Sequence, residues 1–123
     1  MRIRIAWDSG AVEAVLEPTP SAQKIWEVLP CTTVASTWGE EVYFELPVCV
    51  EVEPNARQVI EEGTLCFWVE GRSLVLPYGP TPISQGDECR LIAPVNVLGQ
   101  IEGDSRVLSA VQAGAPIRVE RID

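Results

Sequence analysis

At 123 residues, with 46% hydrophobic and 22% charged side chains, the chain suits one domain spanning 1–123 that folds without disulfides and buries roughly two-thirds of its unfolded surface. Eighteen acidic residues against nine basic leave a net charge of -9, which repels phosphate backbones and anionic membranes and argues against nucleic acid as a partner. The start, MRIRIAWD, lacks the apolar stretch of a signal peptide and no run approaches the ~20 apolar residues of a membrane span, so a cytoplasmic location without a membrane partner is expected.

In chain order, RIRIAWD and AVEAVLE alternate in period two around Asp8-Ser9-Gly10, which predicts a hairpin. One clear helix follows, over about 20–30: Thr19 caps it, Pro20 suits its first position, Ala22, Ile25, Trp26 and Leu29 form its apolar stripe, and Pro30 stops it. Trp26 is read as core. Residues 32–38 and 40–46 read as extended, with a bend or bulge at Gly39. EPNARQVIEEG suggests a turn or a single helical turn, TLCFWV and SLVLPY suggest strands, and GPTPISQGDE suggests an irregular loop. RLIAPVNVLGQIEG gives one long or two short strands broken at Pro94. Asp104 caps a second, short helix, at about 104–113, over Val107, Leu108 and Val111, and APIRVERI closes the chain as a strand. Seven to nine short strands with two helices imply a mainly β fold, an antiparallel barrel or sandwich plugged by helices.

The chain has no histidine, which removes Ser-His and Cys-His nucleophile pairs and imidazole metal ligands. Cys31, Cys49, Cys66 and Cys89 are scattered without a CxxC pair and read as structural thiols, with neither a metal nor a cofactor expected. No glycine-rich phosphate loop follows a strand. Carboxylates, aromatics and a few arginines remain as sources of chemistry.

The stretch STWGEEVYFELPV, residues 36 to 48, places two adjacent glutamates at the head of a strand. Alternation puts Val42, Phe44 and Leu46 on one face and Glu41, Tyr43 and Glu45 on the other, so Glu40 and Glu41 point apart and cannot act as a general acid-base pair. The simplest reading of Glu41, Tyr43 and Glu45 is a solvated outer face. Glu40 falls with the apolar face, where it needs backbone N–H groups or an arginine such as Arg72 or Arg90, or else faces a ligand at the mouth of the sheet.

SLVLPYGPTPIS, PVNVLGQIEG and DSRVLSAVQAGAPIRVERI follow one another as in the C-terminal half of cyclophilins, and TWGEEVYF with GTLCFWVEGRSLVLPYGPTP and VNVLG resembles the small bacterial and archaeal cyclophilin-like domains of unassigned function. The resemblance spans nearly the whole chain and implies a closed eight-stranded antiparallel β-barrel with a helix over each end. It does not imply the isomerase chemistry. The arginine that polarises the prolyl amide in cyclophilins aligns near Ala35 or Ser36, and the family's histidine aligns near Val95. A twisted amide needs a donor, and none stands at either place.

The resemblance implies an outer groove lined by Trp38, Glu41, Tyr43, Leu76 and Tyr78, with Tyr43 and Tyr78 stacking and Glu41 selecting a cationic or hydrogen-bond-donating ligand. The expectation is a binding module for a peptide or small-molecule ligand, monomeric or weakly self-associating and without assigned catalytic residues. The alternatives are a prolyl isomerase working without the usual arginine, and a small-molecule enzyme or accessory domain.

Overall fold

The structure, a computed structural model, describes residues 1–122. Strands β1 (Arg2–Trp7) and β2 (Gly10–Leu16) form the opening hairpin. Its register sets Ile3 opposite Ala14 and Ile5 opposite Val12, so all four side chains share one face, and all four are buried. Helix α1 (Pro20–Val28) is capped by the Thr19 hydroxyl, which accepts from the Ala22 amide at 3.1 Å. Ala22, Ile25 and Leu29 enter the core, whereas Trp26 is only partly buried and lies beneath the Arg121 guanidinium, 5.2 Å from the ring centre.

The chain continues through β3 (Cys31–Val34), β4 (Ser36–Thr37), β5 (Glu41–Glu45), β6 (Arg57–Ile60), β7 (Thr64–Trp68), β8 (Ser73–Pro77), β9 (Cys89–Glu102) and β10 (Pro116–Arg121). A 3-10 helix, Ser105–Ala110, precedes the last strand, shorter and tighter than the helix expected at 104–113. Asp104 caps it through the Arg106 amide at 3.0 Å, and Leu108 and Val111 point inward while Val107 turns out. The EPNARQVI stretch holds strand β6 rather than a helical turn. Cys49 lies outside the strands and is exposed, unlike the buried Cys66 and Cys89.

The strand order is β3-β10-β1-β2-β9-β7-β8-β5-β4, with β6 pairing to β9, and every pairing is antiparallel. The expected closed eight-stranded barrel is therefore corrected to a sheet of ten strands whose path has two ends. The ends, β3 and β4, are consecutive in the chain and separated by Ala35. That residue accepts from the Gly114 amide at 2.8 Å and donates to the Ala115 carbonyl at 2.9 Å, which keeps β3 with β10. Strand β4 turns to β5 instead, so the ladder splits at Ala35 and β3 meets β5 through contacts alone.

Two apolar clusters result. The larger fills one side of the sheet and includes Phe44, Phe67, Leu74, Leu76 and Leu98 together with Ala22 and Ile25 of α1 and Leu108 of the 3-10 helix. The smaller lies on the outer side and comprises Ile60, Cys66, Val75, Cys89, Leu91 and Val95, with Tyr43 and Trp68 packed against it. Strand β9 creates this second cluster. Two steps along β6, from Arg57 to Val59, are matched by five along β9, from Val95 to Arg90. The excess bulges out across residues 91–94, around Pro94, and folds the β6–β9 ribbon over the outer faces of β7 and β8.

A buried amide ties down the long segment between β5 and β6. Asn96, with no exposed surface, donates to the Ser21 hydroxyl and the Glu51 carbonyl, each at 2.9 Å, and accepts from the Glu53 amide at 2.8 Å. The Glu53 carboxylate in turn accepts from the Ser21 hydroxyl and, at 3.1 Å, from the Ser21 amide in the first turn of α1, where negative charge is favoured.

Candidate functional site

The bend before β5 is built by two short motifs that touch. In TWGE, Gly39 has φ +61, and a Cβ there would come within 2.8 Å of the Thr81 backbone, so the PYGPTP loop packs directly on a residue without a side chain. The Glu40 amide donates to the Pro80 carbonyl and the Tyr78 amide to the Glu40 carbonyl, both at 2.9 Å. Thr81 anchors that loop onto β9 by donating its hydroxyl to the Arg90 carbonyl. The Trp38 amide donates to the Glu41 carbonyl at 3.1 Å, closing the turn that starts β5. Trp38 and Glu41 are thus held by backbone geometry.

Glu41 and Tyr43 stand on the outer face of β5, as alternation requires, but the face is not solvated at its start. Glu41 is only 6% exposed because the bulged β9 covers it. Together with Trp38, Tyr43, Trp68, Val75, Leu91, Ile92 and Val95 it lines a cavity of about 210 Å³. The lining is aromatic and aliphatic apart from one carboxyl group. Oxygen Oε1 of Glu41 is buried and has no hydrogen-bond partner among the described residues. Loss of hydration disfavours the ionised form and pushes the Glu41 carboxyl up to about 7. Tyr43 meets Trp68 edge-on, and the two rings form one wall.

Of the residues expected along the groove, Trp38, Glu41 and Tyr43 come together at this cavity, whereas Leu76 and Tyr78 lie on the other side of the sheet in the main core. Leu76 pairs in register with Val42, and directly opposed residues share a face. The outward residue of β8 is its neighbour Val75, opposite Tyr43. Burial pushes the Tyr78 phenol up, and the Glu40 carboxylate adds to the effect. Glu40 does not line the cavity. Its carboxylate pairs with Arg106 at 3.2 Å rather than with Arg72 or Arg90, and its side chain is 41% exposed.

Val75, Leu91, Ile92 and Val95 are cavity residues that pattern reading did not single out, and Trp68, for which core or rim is the simpler reading of the sequence, lines the cavity with them. For Val95 a signal existed, since the cyclophilin histidine aligns there. Ala35 is buried in the core and Ser36 faces a second groove that shares Tyr43 and Trp68 with the cavity, so the alignment position of the cyclophilin arginine lies outside this cavity. Among the described residues no group of three or more Cys, Asp or Glu side chains is placed to hold a metal ion, and no helix is long and apolar enough to cross a membrane.

An antiparallel, mainly β sheet with this order of strands and helices and a covered pocket on its outer face defines the class of fold. The chain belongs to the cyclophilin-like family, whose model matches residues 1–120. It is similar to the hypothetical protein AF2241 from Archaeoglobus fulgidus, known from its solution structure. The two are 35% identical over 99% of this chain and 95% of that one, with a TM-score of 0.85. A more distant likeness, at 13% identity and a TM-score of 0.65, is to the structure of McbB in complex with tryptophan; it covers 97% of this chain and 44% of McbB and concerns the fold. No curated protein matches.

Proposed function

We propose that this protein is a binding module for a compact, largely apolar small molecule that presents a hydrogen-bond donor to Glu41. The observation that carries the reading is the partnerless Glu41 oxygen in the wall of a cavity otherwise lined by apolar and aromatic groups. A buried polar atom without a partner costs free energy, on the order of 1–3 kcal/mol, and a ligand that supplies the missing donor recovers it. Pockets that recognise small molecules share this design of apolar walls with a few fixed polar groups. The walls belong to paired strands and to a bend fixed by backbone hydrogen bonds, so the site is organised before the ligand arrives.

A prolyl isomerase reading is less well supported, because the position that aligns with the cyclophilin arginine, the donor to the twisted amide, lies outside the cavity at Ala35 or Ser36. Trp38 and Trp68 offer a direct assay. Screening small amines, alcohols and indoles by tryptophan emission and by amide shifts is expected to yield binders that perturb Trp38, Tyr43, Trp68 and Val95 together. A protease-coupled assay on a proline tetrapeptide is expected to show no acceleration. Binders that shift only residues elsewhere, or acceleration that survives removal of host isomerases, would replace this reading.

A further inference from the structure

Resting on that reading of the cavity, we infer that its ligand is a cation, a compact aryl- or alkylammonium, and that binding expels a proton from Glu41. Three independent features favour a cation over a neutral donor. Trp38, Tyr43 and Trp68 border the same space, and the faces of such rings attract positive charge. The protein carries a net charge of -9, which concentrates cations at its surface and steers them inward. Among the described residues no arginine or lysine lines the cavity, so a positive group entering it meets one carboxyl and no competing cation. The volume of about 210 Å³ limits the ligand to a single ring or a short chain.

The groups packed around Glu41 leave it as the titrating partner. From β7 and β9 come the thiols of Cys66 and Cys89, both of which burial pushes further toward the protonated form. On β5 itself the neighbour is Tyr43. Arg57 of β6 acts on Cys66, and Glu40, Glu62 and Arg106 act on Cys89. Below neutral pH the empty site therefore holds Glu41 mainly as the neutral acid, since burial pushes its carboxyl up to about 7. An ammonium group stabilises the ionised form, and the displaced proton leaves to solvent. The binding-competent carboxylate grows with pH, so affinity for the cation rises about tenfold per unit below the titration midpoint and levels off above it.

The test uses the intact protein, 2-phenylethylamine and its neutral counterpart 2-phenylethanol, followed by tryptophan emission and by calorimetry in buffers of different ionisation heat. The amine is expected to bind more tightly than the alcohol. Its affinity is expected to rise about tenfold between pH 5.5 and 6.5, with close to one proton released per site. The alcohol is expected to show neither effect, and Glu41→Gln, with its fold checked by amide dispersion, to lose the preference for the amine while still binding the alcohol. Equal affinities, or an amine affinity flat with pH, overturn the cation assignment and leave the cavity as an uncharged ligand's site. A response to neither compound overturns the cation assignment, and if the wider screen also fails at these residues the cavity reading falls with it.

Discussion

Tyr43 and Trp68 stand edge to face, their ring centres 6.3 Å apart and their planes at 79°, and the pair forms the partition between the cavity and the second groove beside it. Tyr43 is partly buried, while its neighbour Phe44 is 1% exposed in the main core. Truncating a buried aromatic costs roughly 3–5 kcal/mol, whereas a partition residue loses the ring pair and part of its area. Tyr43→Ala is therefore expected to cost about 1–2 kcal/mol in urea unfolding, clearly less than Phe44→Ala. A loss as large as that of the Phe44 variant would make Tyr43 a core residue.

Trp68 can be moved without touching a ligand. A Cβ on Gly71 would lie 2.2 Å from Cε3 of Trp68, so Gly71→Ala requires the indole to swing away. The obstacle is a partly buried side chain and not backbone, so the fold is expected to survive with a loss of about 1–2 kcal/mol. Tryptophan emission should change, and binding of 2-phenylethylamine should weaken by at least tenfold. Unchanged emission with full binding would show that the indole is not fixed against Gly71 or does not shape the site.

Glu41 makes stability depend on pH in an unusual direction. From an ordinary value of 4.5, burial in the folded protein pushes its carboxyl up to about 7. Between those values the folded state holds a proton that the unfolded state has released, so stability falls as pH rises through this window and is level above it. The contribution is about 3 kcal/mol. Glu41→Gln is expected to match the parent near pH 4.5 and to exceed it at pH 8. Parallel stability curves for the two proteins across this range would mean that the carboxyl is hydrated in the folded state.

Much of this site was legible from alternation, and the reason it stopped short is physical. Strand β5 has one inner and one outer face, so period two separates Glu41 and Tyr43 from Val42, Phe44 and Leu46 correctly. Strand β8 is buried at every position, because the main core lies under one face and the β9 cluster over the other. A strand covered on both sides carries no alternating signal. Only its register with β5 places Leu76 beside Val42 and Val75 beside Tyr43. The burial of Glu41 was hidden for a related reason, since its cover comes from a bulge in β9 more than forty residues away. The split at Ala35 likewise depends on a pairing with the 114–115 turn that no local pattern encodes.

The Asn96 amide should prove to be the fastening that holds the segment between β5 and β6. Its three hydrogen bonds reach Ser21 on α1 and Glu51 and Glu53 in that segment, and the side chain is fully buried. Alanine leaves the Glu53 amide and the Glu51 carbonyl without their partner and opens a small void, which together cost about 2–4 kcal/mol. Glu53 would still hold α1 through Ser21, but without the Asn96 amide that donates to the same hydroxyl. Amide hydrogen exchange is expected to accelerate across residues 47–56 and in the first turn of α1, while the β1–β2 hairpin keeps its protection up to the global limit. Asn96→Asp keeps an acceptor for Glu53 but sets a carboxylate against the Glu51 carbonyl, so it should be at least as damaging as alanine. An alanine variant with an unchanged melting temperature and unchanged exchange in 47–56 would mean that the segment is held by its apolar anchors, Leu46 and Val48, instead.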